Sequence, residues 1–88
     1  MNRVLVVEDN VDLAENLAEL LEELDVEVAL AHDGAQALRQ AETRFELALV
    51  DVGLPGALSG MQLLRRLRDR SPDAAIVLMT GNADVATA

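Results

Sequence analysis

Three uninterrupted hydrophobic runs divide this chain of 88 residues. They lie at positions 4–7, 47–50 and 76–79. Short apolar runs bounded by polar turns are typical of strands buried on both faces, as in a parallel sheet covered by helices. The segments between the runs have a helical period, so strands and helices alternate along the chain. This alternation predicts a single α/β domain.

Each predicted buried strand is followed directly by a reactive polar side chain. Glu8 and Asp9 follow the first strand, Asp51 follows the second and Thr80 follows the third. The C-terminal ends of parallel strands lie along one edge of the sheet, and ligands bind at that edge in open α/β folds. We therefore expect these side chains to form one acidic, hydroxyl-bearing pocket.

Two of the helical segments are amphipathic. The first, with Asn10 as its cap, has leucines three or four residues apart that we expect to pack on the sheet. These leucines are Leu13, Leu17, Leu20, Leu21 and Leu24. A later helix over residues 61–70 is expected to turn its four arginines toward water. Its buried side chains are expected to be Met61, Leu64 and Leu67, with Leu63 alongside.

The remaining segments complete the predicted order. Residues 26–30 alternate apolar with polar or small side chains, which indicates a strand at the edge of the sheet. A turn at His32 then leads to a short helix over residues 35–43 that buries Ala37, Leu38 and Ala41. The glycines and proline of residues 52–60 indicate an irregular loop at the proposed ligand edge.

Composition and charge narrow the classes of function. The formal charge of -9, from 16 acidic and 7 basic residues, argues against direct nucleic-acid binding and suits a cation site. The chain has no cysteine, so a reducing cytoplasm is the simplest compartment. We find neither a signal peptide nor a segment long enough to span a membrane.

Four motifs together identify a family. They are "VLVVEDN" at the start, "AHDGAQAL" around Gly34, "LALVDVGLPG" around Asp51 and "IVLMTGNADV" around Thr80. In this order and at these intervals, they resemble the receiver domain of bacterial two-component response regulators over the whole chain. The resemblance implies a flavodoxin-like, doubly wound parallel sheet with the strand order 2-1-3-4. The fifth strand and fifth helix of the family are missing, so residues 1–88 are expected to form an incomplete receiver domain.

The resemblance also implies roles for individual residues. Asp51 looks like the phosphoacceptor, which takes a phosphoryl group from a partner histidine kinase. Glu8 and Asp9, with Asp51 and the backbone carbonyl of Gly53, look like the ligands of Mg²⁺. Thr80 resembles the switch hydroxyl that changes the protein surface to control an output domain, commonly one that regulates transcription. Such a domain is a signalling phosphoacceptor rather than an enzyme, beyond promoting its own phosphorylation and dephosphorylation.

Other positions carry weaker expectations. Gly53 and Asn82 occupy the two positions that in receivers tend to set the lifetime of the acyl phosphate, and Gly81 leaves room beside Thr80 for the phosphoryl group. His32 is expected to be a surface-loop histidine rather than a relay residue, because it follows an edge strand and has no neighbouring base.

The chain departs from the family in two ways. The loop "LPGALSG" reaches Gly60 one residue later than the common receiver pattern does, which implies an insertion at the mouth of the site. The family's fifth strand also carries a lysine and a switch aromatic, and both are absent. Without the lysine, Asp51 is expected to be a poorer acceptor. The missing fifth helix is expected to leave apolar side chains exposed beside the first helix, so that the chain is metastable, dimerises or exchanges elements with a second copy.

Alternative functions stay open at this stage. A receiver that acts only as a protein-interaction module would keep the fold without accepting phosphoryl groups. An unrelated Mg²⁺-dependent phosphotransferase with an aspartyl nucleophile usually has a second acid two residues after that nucleophile, where this chain has Gly53. A dinucleotide-binding domain would have a glycine-rich turn after the first strand instead of "EDN". The sequence does not name the kinase, the output domain or the regulated process.

Overall fold

Strands and helices alternate along the chain, as predicted. The computed structural model describes residues 2–56 and 58–79. Over these residues the elements are β1 (Arg3–Val7), α1 (Val11–Glu22), β2 (Glu27–Ala31), α2 (Gly34–Gln40), β3 (Leu47–Asp51), α3 (Gly60–Arg70) and β4 (Ala75–Met79). No helix in these ranges is long and apolar enough to cross a membrane.

The four strands form one parallel sheet with the order β2-β1-β3-β4. This order confirms the predicted flavodoxin-like topology, with β2 at one edge. Side chains alternate between the two faces of each strand, and the β1 side chains of Leu5 and Val7 belong to the core that α2 and α3 cover. Val4 and Val6 are also buried but point to the opposite face, where α1 packs on β1 and β2.

Each helix begins at a side chain that accepts a hydrogen bond from its first turn. The Asn10 side chain accepts from the backbone N–H of Leu13 at 3.0 Å, as the sequence predicted. Asp33 does the same for α2. Ser59 and Gln62 form a reciprocal capping box at the start of α3. These caps satisfy N–H groups that have no partner within the helix, and so fix where each helix starts.

The main core lies between the sheet and the pair α2 and α3. Phe45, the one aromatic residue of the chain, is among its largest fully buried side chains, with Leu5, Leu63 and Leu67. The predicted burial of Ala37 and Ala41 is confirmed, and Leu38 packs against the core while partly exposed. The second helix starts one residue earlier than predicted, because Asp33 caps it at Gly34, and it ends three residues earlier, at Gln40.

The predicted buried face of the later helix was partly wrong. Met61 is 49% exposed and Leu64 is half-buried, whereas Gly60, Leu63 and Leu67 are buried. The reason is that Gly60 packs against the main chain at the end of β3, and Leu63 and Leu67 follow it on the same face of the helix. The arginines of this helix are exposed, as predicted.

The prediction that the leucine stripe of the first helix is buried was also wrong. The buried residues of α1 are Ala14 and Ala18. Leu17 and Leu21 are half-buried beside them. The other three leucines of the stripe are exposed: Leu13 by 43%, Leu20 by 63% and Leu24 by 70%. Two small residues one turn apart let the helix backbone approach the sheet closely, which leaves the longer side chains at the margins of the contact.

The α1 side of the sheet is only partly covered. The register places Leu49 and Val77 on the same face as Val6. Val6 is fully buried beneath α1, Leu49 is half-buried and Val77 on β4 is 48% exposed. The expectation that apolar side chains beside the first helix would be exposed is therefore confirmed within the described residues. The expectation that the third run would be buried on both faces was wrong, because no described helix lies over β4 on this side.

Candidate functional site

The ends of two neighbouring strands form an acidic cluster. β1 pairs with β3 in parallel, with Val7 opposite Val50, so the residues after them lie side by side. One carboxylate oxygen each from Glu8, Asp9 and Asp51 lies within 4.8 Å of the others. The structure brings these three acids together, as predicted, although Asp51 is far from Glu8 and Asp9 in sequence.

Glu8 is the buried member of the cluster. Its residue is 6% exposed, and its Oε2 accepts a hydrogen bond from the backbone N–H of Asn10 at 3.1 Å. The pKa of Glu8 is raised from 4.5 to about 7, chiefly because burial disfavours the charged form. The hydrogen bond from Asn10 opposes this rise, and the adjacent carboxyls of Asp9 and Asp51 contribute to it.

Asp9 has the opposite electrostatic character. It is exposed, and hydrogen bonds with Glu8 and then with Asp51 lower its pKa from 3.8. The two shifts have a common origin, because a proton held on Glu8 can be donated to the neighbouring carboxylates. Crowded carboxylates relieve their repulsion by sharing a proton or by binding a cation. A cation that binds at this site would therefore displace the proton from Glu8.

Asp51 is held at the end of β3 by its own loop. Its Oδ1 accepts a hydrogen bond from the backbone N–H of Gly53 at 3.0 Å. Gly53 is exposed, and a Cβ atom there would lie 3.7 Å from the same Oδ1, which is an ordinary contact. Gly53 therefore lies at the rim of the site, and the role of its carbonyl as a ligand stays a prediction.

A close approach between helix and strand fixes the other side of Asp51. A Cβ atom on Gly60 would lie 2.6 Å from the carbonyl oxygen of Asp51 and 2.6 Å from the Cα of Val52. No side chain fits in this gap without moving the backbone. The first residue of α3 thus packs directly on the main chain that carries the predicted phosphoacceptor. Apart from the glycine itself, no sequence pattern indicated this role.

The donor set fits a hard divalent cation. Carboxylate oxygens are the ligands that Mg²⁺ and Ca²⁺ prefer, and Mg²⁺ is commonly bound by few carboxylates together with water and phosphate oxygens. The cluster offers an oxygen from each of three carboxyls at mutual distances of at most 4.8 Å. It has no nitrogen or sulfur ligand of the kind that zinc prefers. The chemistry of the residues therefore agrees with Mg²⁺.

The site residues predicted to follow β4 lie outside the described residues. These are Thr80, Gly81 and Asn82. The described part of β4 nevertheless ends beside the cluster, because Met79 is the register partner of Asp51. The N–H of Val52 donates to the carbonyl of Met79 at 3.0 Å.

His32 has a closer relation to the site than the sequence indicated. It was expected to be a surface-loop histidine, but it is half-buried and its Nδ1 lies 2.9 Å from the backbone carbonyl oxygen of Glu8. The one available signal was its position directly after β2, the strand that pairs with the Glu8 strand.

Comparisons with known proteins point to one family. The family described as "Response regulator receiver domain" matches residues 4–88. A response regulator receiver protein of Anaeromyxobacter sp. (strain Fw109-5) is 43% identical over 93% of this chain and 34% of its own length. The chain spans about a third of the length of the first curated relatives it matches, among them transcriptional regulatory proteins of Bacillus subtilis (37% identical) and Escherichia coli (35% identical).

Two solved structures share both the fold and the sequence pattern. A response regulator from Burkholderia pseudomallei, solved with a phosphorylated aspartic acid, a calcium ion and citrate, is 40% identical with a TM-score of 0.88, over 100% of this chain and 52% of that one. The response regulator TrrA from Thermotoga maritima, solved in complex with Mg²⁺ and BeF, is 32% identical with a TM-score of 0.85, over 99% of this chain and 76% of that one.

In the absence of divalent cations, we expect the free energy of unfolding to fall as the pH rises from about 4.5 through about 7. The folded chain binds the Glu8 proton more tightly than the unfolded chain does. The stabilisation is therefore complete below pH 4.5 and is lost as the pH rises through the folded-state value, with a total of about 3 kcal/mol. The lowered pKa of Asp9 acts in the opposite direction, at pH values below 3.8. Urea unfolding with a chelator at several pH values measures the slope.

The matched variants for this prediction are Glu8→Gln and Glu15→Gln. The first removes the titrating group and should flatten the profile between pH 4.5 and 7. The second changes an exposed acid on α1 and should leave the slope unchanged. A wild-type stability that is constant or increases over this range would contradict the assignment of the shared proton to Glu8.

Gly60→Ala is expected to lower the free energy of unfolding by about 1–3 kcal/mol, because the added methyl group must displace the Asp51 main chain. The same displacement should weaken Mg²⁺ binding. Met61→Ala is the control, since it changes an exposed side chain at the next position of the same helix. Urea unfolding and calorimetric Mg²⁺ titration measure both effects, and equal values for the two variants would refute the proposed strand-to-helix contact.

Proposed function

The chain belongs to the receiver-domain family of response regulators, and on that premise we propose that it accepts a phosphoryl group on Asp51 from a histidine kinase in a Mg²⁺-dependent reaction. The observation that carries this proposal is the meeting of Glu8, Asp9 and Asp51 at the C-terminal edge of a parallel sheet. One similar protein has been solved with a phosphorylated aspartic acid, a calcium ion and citrate, and another in complex with Mg²⁺ and BeF.

The transfer is a substitution at phosphorus. An oxygen of the Asp51 carboxylate forms the new P–O bond while the P–N bond to the donor's imidazole breaks, and the released ring nitrogen takes a proton. Asp51 is oriented for this step by the N–H of Gly53. When bound, Mg²⁺ would neutralise charge on the transferring phosphoryl oxygens. Glu8, Asp9, Asp51 and the Gly53 carbonyl would hold it.

The proton on Glu8 makes cation binding depend on pH. Burial keeps Glu8 protonated over much of the range below its pKa of about 7, and a carboxyl must lose its proton to bind a metal. Near neutral pH, cation binding at this site therefore releases the proton from that fraction of the molecules in which Glu8 is still protonated. The buried carboxyl of Glu8 thus becomes fully ionised near neutral pH only when a cation binds.

Three further roles belong to this proposal. Thr80 supplies the switch hydroxyl that follows the phosphoryl group and changes the surface of the domain. Asn82 and Gly53 set the lifetime of the acyl phosphate, since Gly53 has no side chain that could block water at the rim of the site. Gly81 leaves space for the phosphoryl group beside Thr80.

The downstream partner is proposed to be an output domain that controls transcription. Two of the relatives are named as transcriptional regulatory proteins, and this chain spans 36% of each of them. The partners in this scheme are thus a kinase that supplies the phosphoryl group and an output domain that responds to it. We also propose a cytoplasmic location, which the absence of cysteine favours.

Incubation with Mg²⁺ and a small acyl phosphate should add one phosphoryl group to the intact protein, measured by mass spectrometry. We expect the adduct to be absent in Asp51→Asn and without metal, and to persist in Asp69→Asn, which changes an exposed aspartate on α3. A folded chain without an adduct would instead support a protein-interaction module. An adduct that persists in Asp51→Asn would disprove the assignment of the acceptor.

We also propose that the exposed apolar side chains on the α1 side of the sheet promote association of two copies. Val77 on this face is 48% exposed. In sedimentation experiments, the mass should rise above the monomer value of 9.5 kDa as the concentration increases. Val77→Thr should weaken this association, and Met61→Gln on the opposite side should not. A chain that stays monomeric at millimolar concentration would contradict the proposal.

A further inference from the structure

His32 joins three elements at the edge of the acidic cluster. It follows the last residue of β2, and its Nδ1 lies 2.9 Å from the carbonyl oxygen of Glu8. Its backbone N–H donates to Oε1 of Gln36 in α2 at 2.9 Å. It is the single histidine of the chain. His32 thus contacts Glu8 of the cluster through its ring and the first turn of α2 through its backbone.

The position of the ring follows from where the β1–β2 ladder ends. The N–H of Glu8 donates to the carbonyl of Ala31 at 2.9 Å, so backbone pairing extends to Glu8. Beyond Ala31 the chain turns into α2. The N–H of His32 is taken by Gln36, and Asp33 caps the helix. Among the described residues, no backbone N–H donates to the Glu8 carbonyl, and the imidazole of His32 contacts that carbonyl instead.

A backbone carbonyl can only accept a hydrogen bond. The 2.9 Å contact therefore requires a proton on Nδ1 of His32. The Glu8 residue is then held at three points: its N–H by Ala31, its carbonyl by His32 and its carboxyl by the N–H of Asn10. The two backbone contacts fix the peptide planes on either side of the Glu8 Cα atom and hence the direction of its side chain, and the third contact holds the carboxyl itself.

We propose that His32 is a positioning residue for the cation site, whose Nδ1–H holds the Glu8 carbonyl so that the Glu8 carboxyl stays directed at Asp9 and Asp51. This inference rests on the proposed function, because it assigns His32 a role toward the cation that those carboxyls would bind. Hydrogen-bonding residues outside the ligand set commonly alter metal affinity by about 10- to 100-fold. Loss of the donor should cost about 10-fold, since His32 acts through the backbone of one ligand.

The first test uses the wild-type chain without metal. Because the chain has one histidine, ¹⁵N labelling of histidine gives the signals of a single ring. At a pH where that ring is neutral, we expect the proton on Nδ1 and not on Nε2. A ring protonated at Nε2 with a bare Nδ1 would overturn the proposal, because two acceptors cannot form this contact.

The second test compares two substitutions at the same position. In His32→Asn, the side-chain amide nitrogen is attached to Cγ, as Nδ1 is, and can donate to the same carbonyl. His32→Leu keeps apolar bulk and has no donor. We expect Mg²⁺ affinity by calorimetry to stay within about 3-fold of wild type in the asparagine variant and to fall about 10-fold in the leucine variant. Calorimetry is suitable because the chain has neither tryptophan nor tyrosine as a fluorescent reporter.

Urea unfolding without metal separates positioning from general stabilisation. A purely structural histidine would lower the stability of both variants and leave their Mg²⁺ affinities alike, which would overturn the inference. If the wild type binds Mg²⁺ and His32→Leu binds it equally well, this inference fails alone. If the wild type binds no Mg²⁺ while folded, the proposed function fails and the inference fails with it.

Discussion

The parallel pairing of β1 with β3 is the constraint on which the site depends. It places Glu8 and Asp9 beside Asp51, and it does so because a sheet in this register brings both strand ends to one level. At separations of up to 4.8 Å, two full negative charges repel by about 3 kcal/mol at an effective dielectric constant of about 20. The apolar strands supply the free energy that holds these charges together.

The burial of Glu8, together with its close contact with the other carboxyls, makes the acids of the cluster differ in pKa. Glu8 is buried and keeps its proton to about pH 7, whereas Asp9 is exposed and gives up its proton more readily than usual. The repulsion between the carboxylates is reduced when the site binds a proton at low pH or a cation at higher pH. A site of this kind makes the folded state less stable when it is empty and ionised, and this instability is what gives a cation its binding energy.

The sequence predicted the strands and the acidic cluster well because those features follow from local pattern and from topology. Continuous apolar runs identified β1, β3 and β4, and the parallel order then brought three distant acids together. Helix burial was predicted less well. A period of 3.6 residues identifies a stripe but not its edges, so Ala14 and Ala18 are buried where the leucines were expected.

Contacts that depend on exact three-dimensional approach could not be predicted from one sequence. The packing of Gly60 on the Asp51 main chain depends on how closely α3 approaches β3, and a glycine in a loop-to-helix junction has several ordinary explanations. The contact of His32 with Glu8 depends on where β2 ends and on the direction of one ring. Composition does not encode such details, although each affects the site directly.

These two contacts connect the acidic cluster to two helices, α2 and α3. Glu8 is linked through His32 to the first turn of α2, and Asp51 is linked through Gly60 to the first turn of α3. The two helices pack on each other over the same face of the sheet. A change of charge at the carboxylates therefore acts on two strand ends whose main chains are each tied to a different helix. Since no space for a Cβ atom is left at Gly60, the Asp51 main chain can move toward α3 only if that helix is displaced.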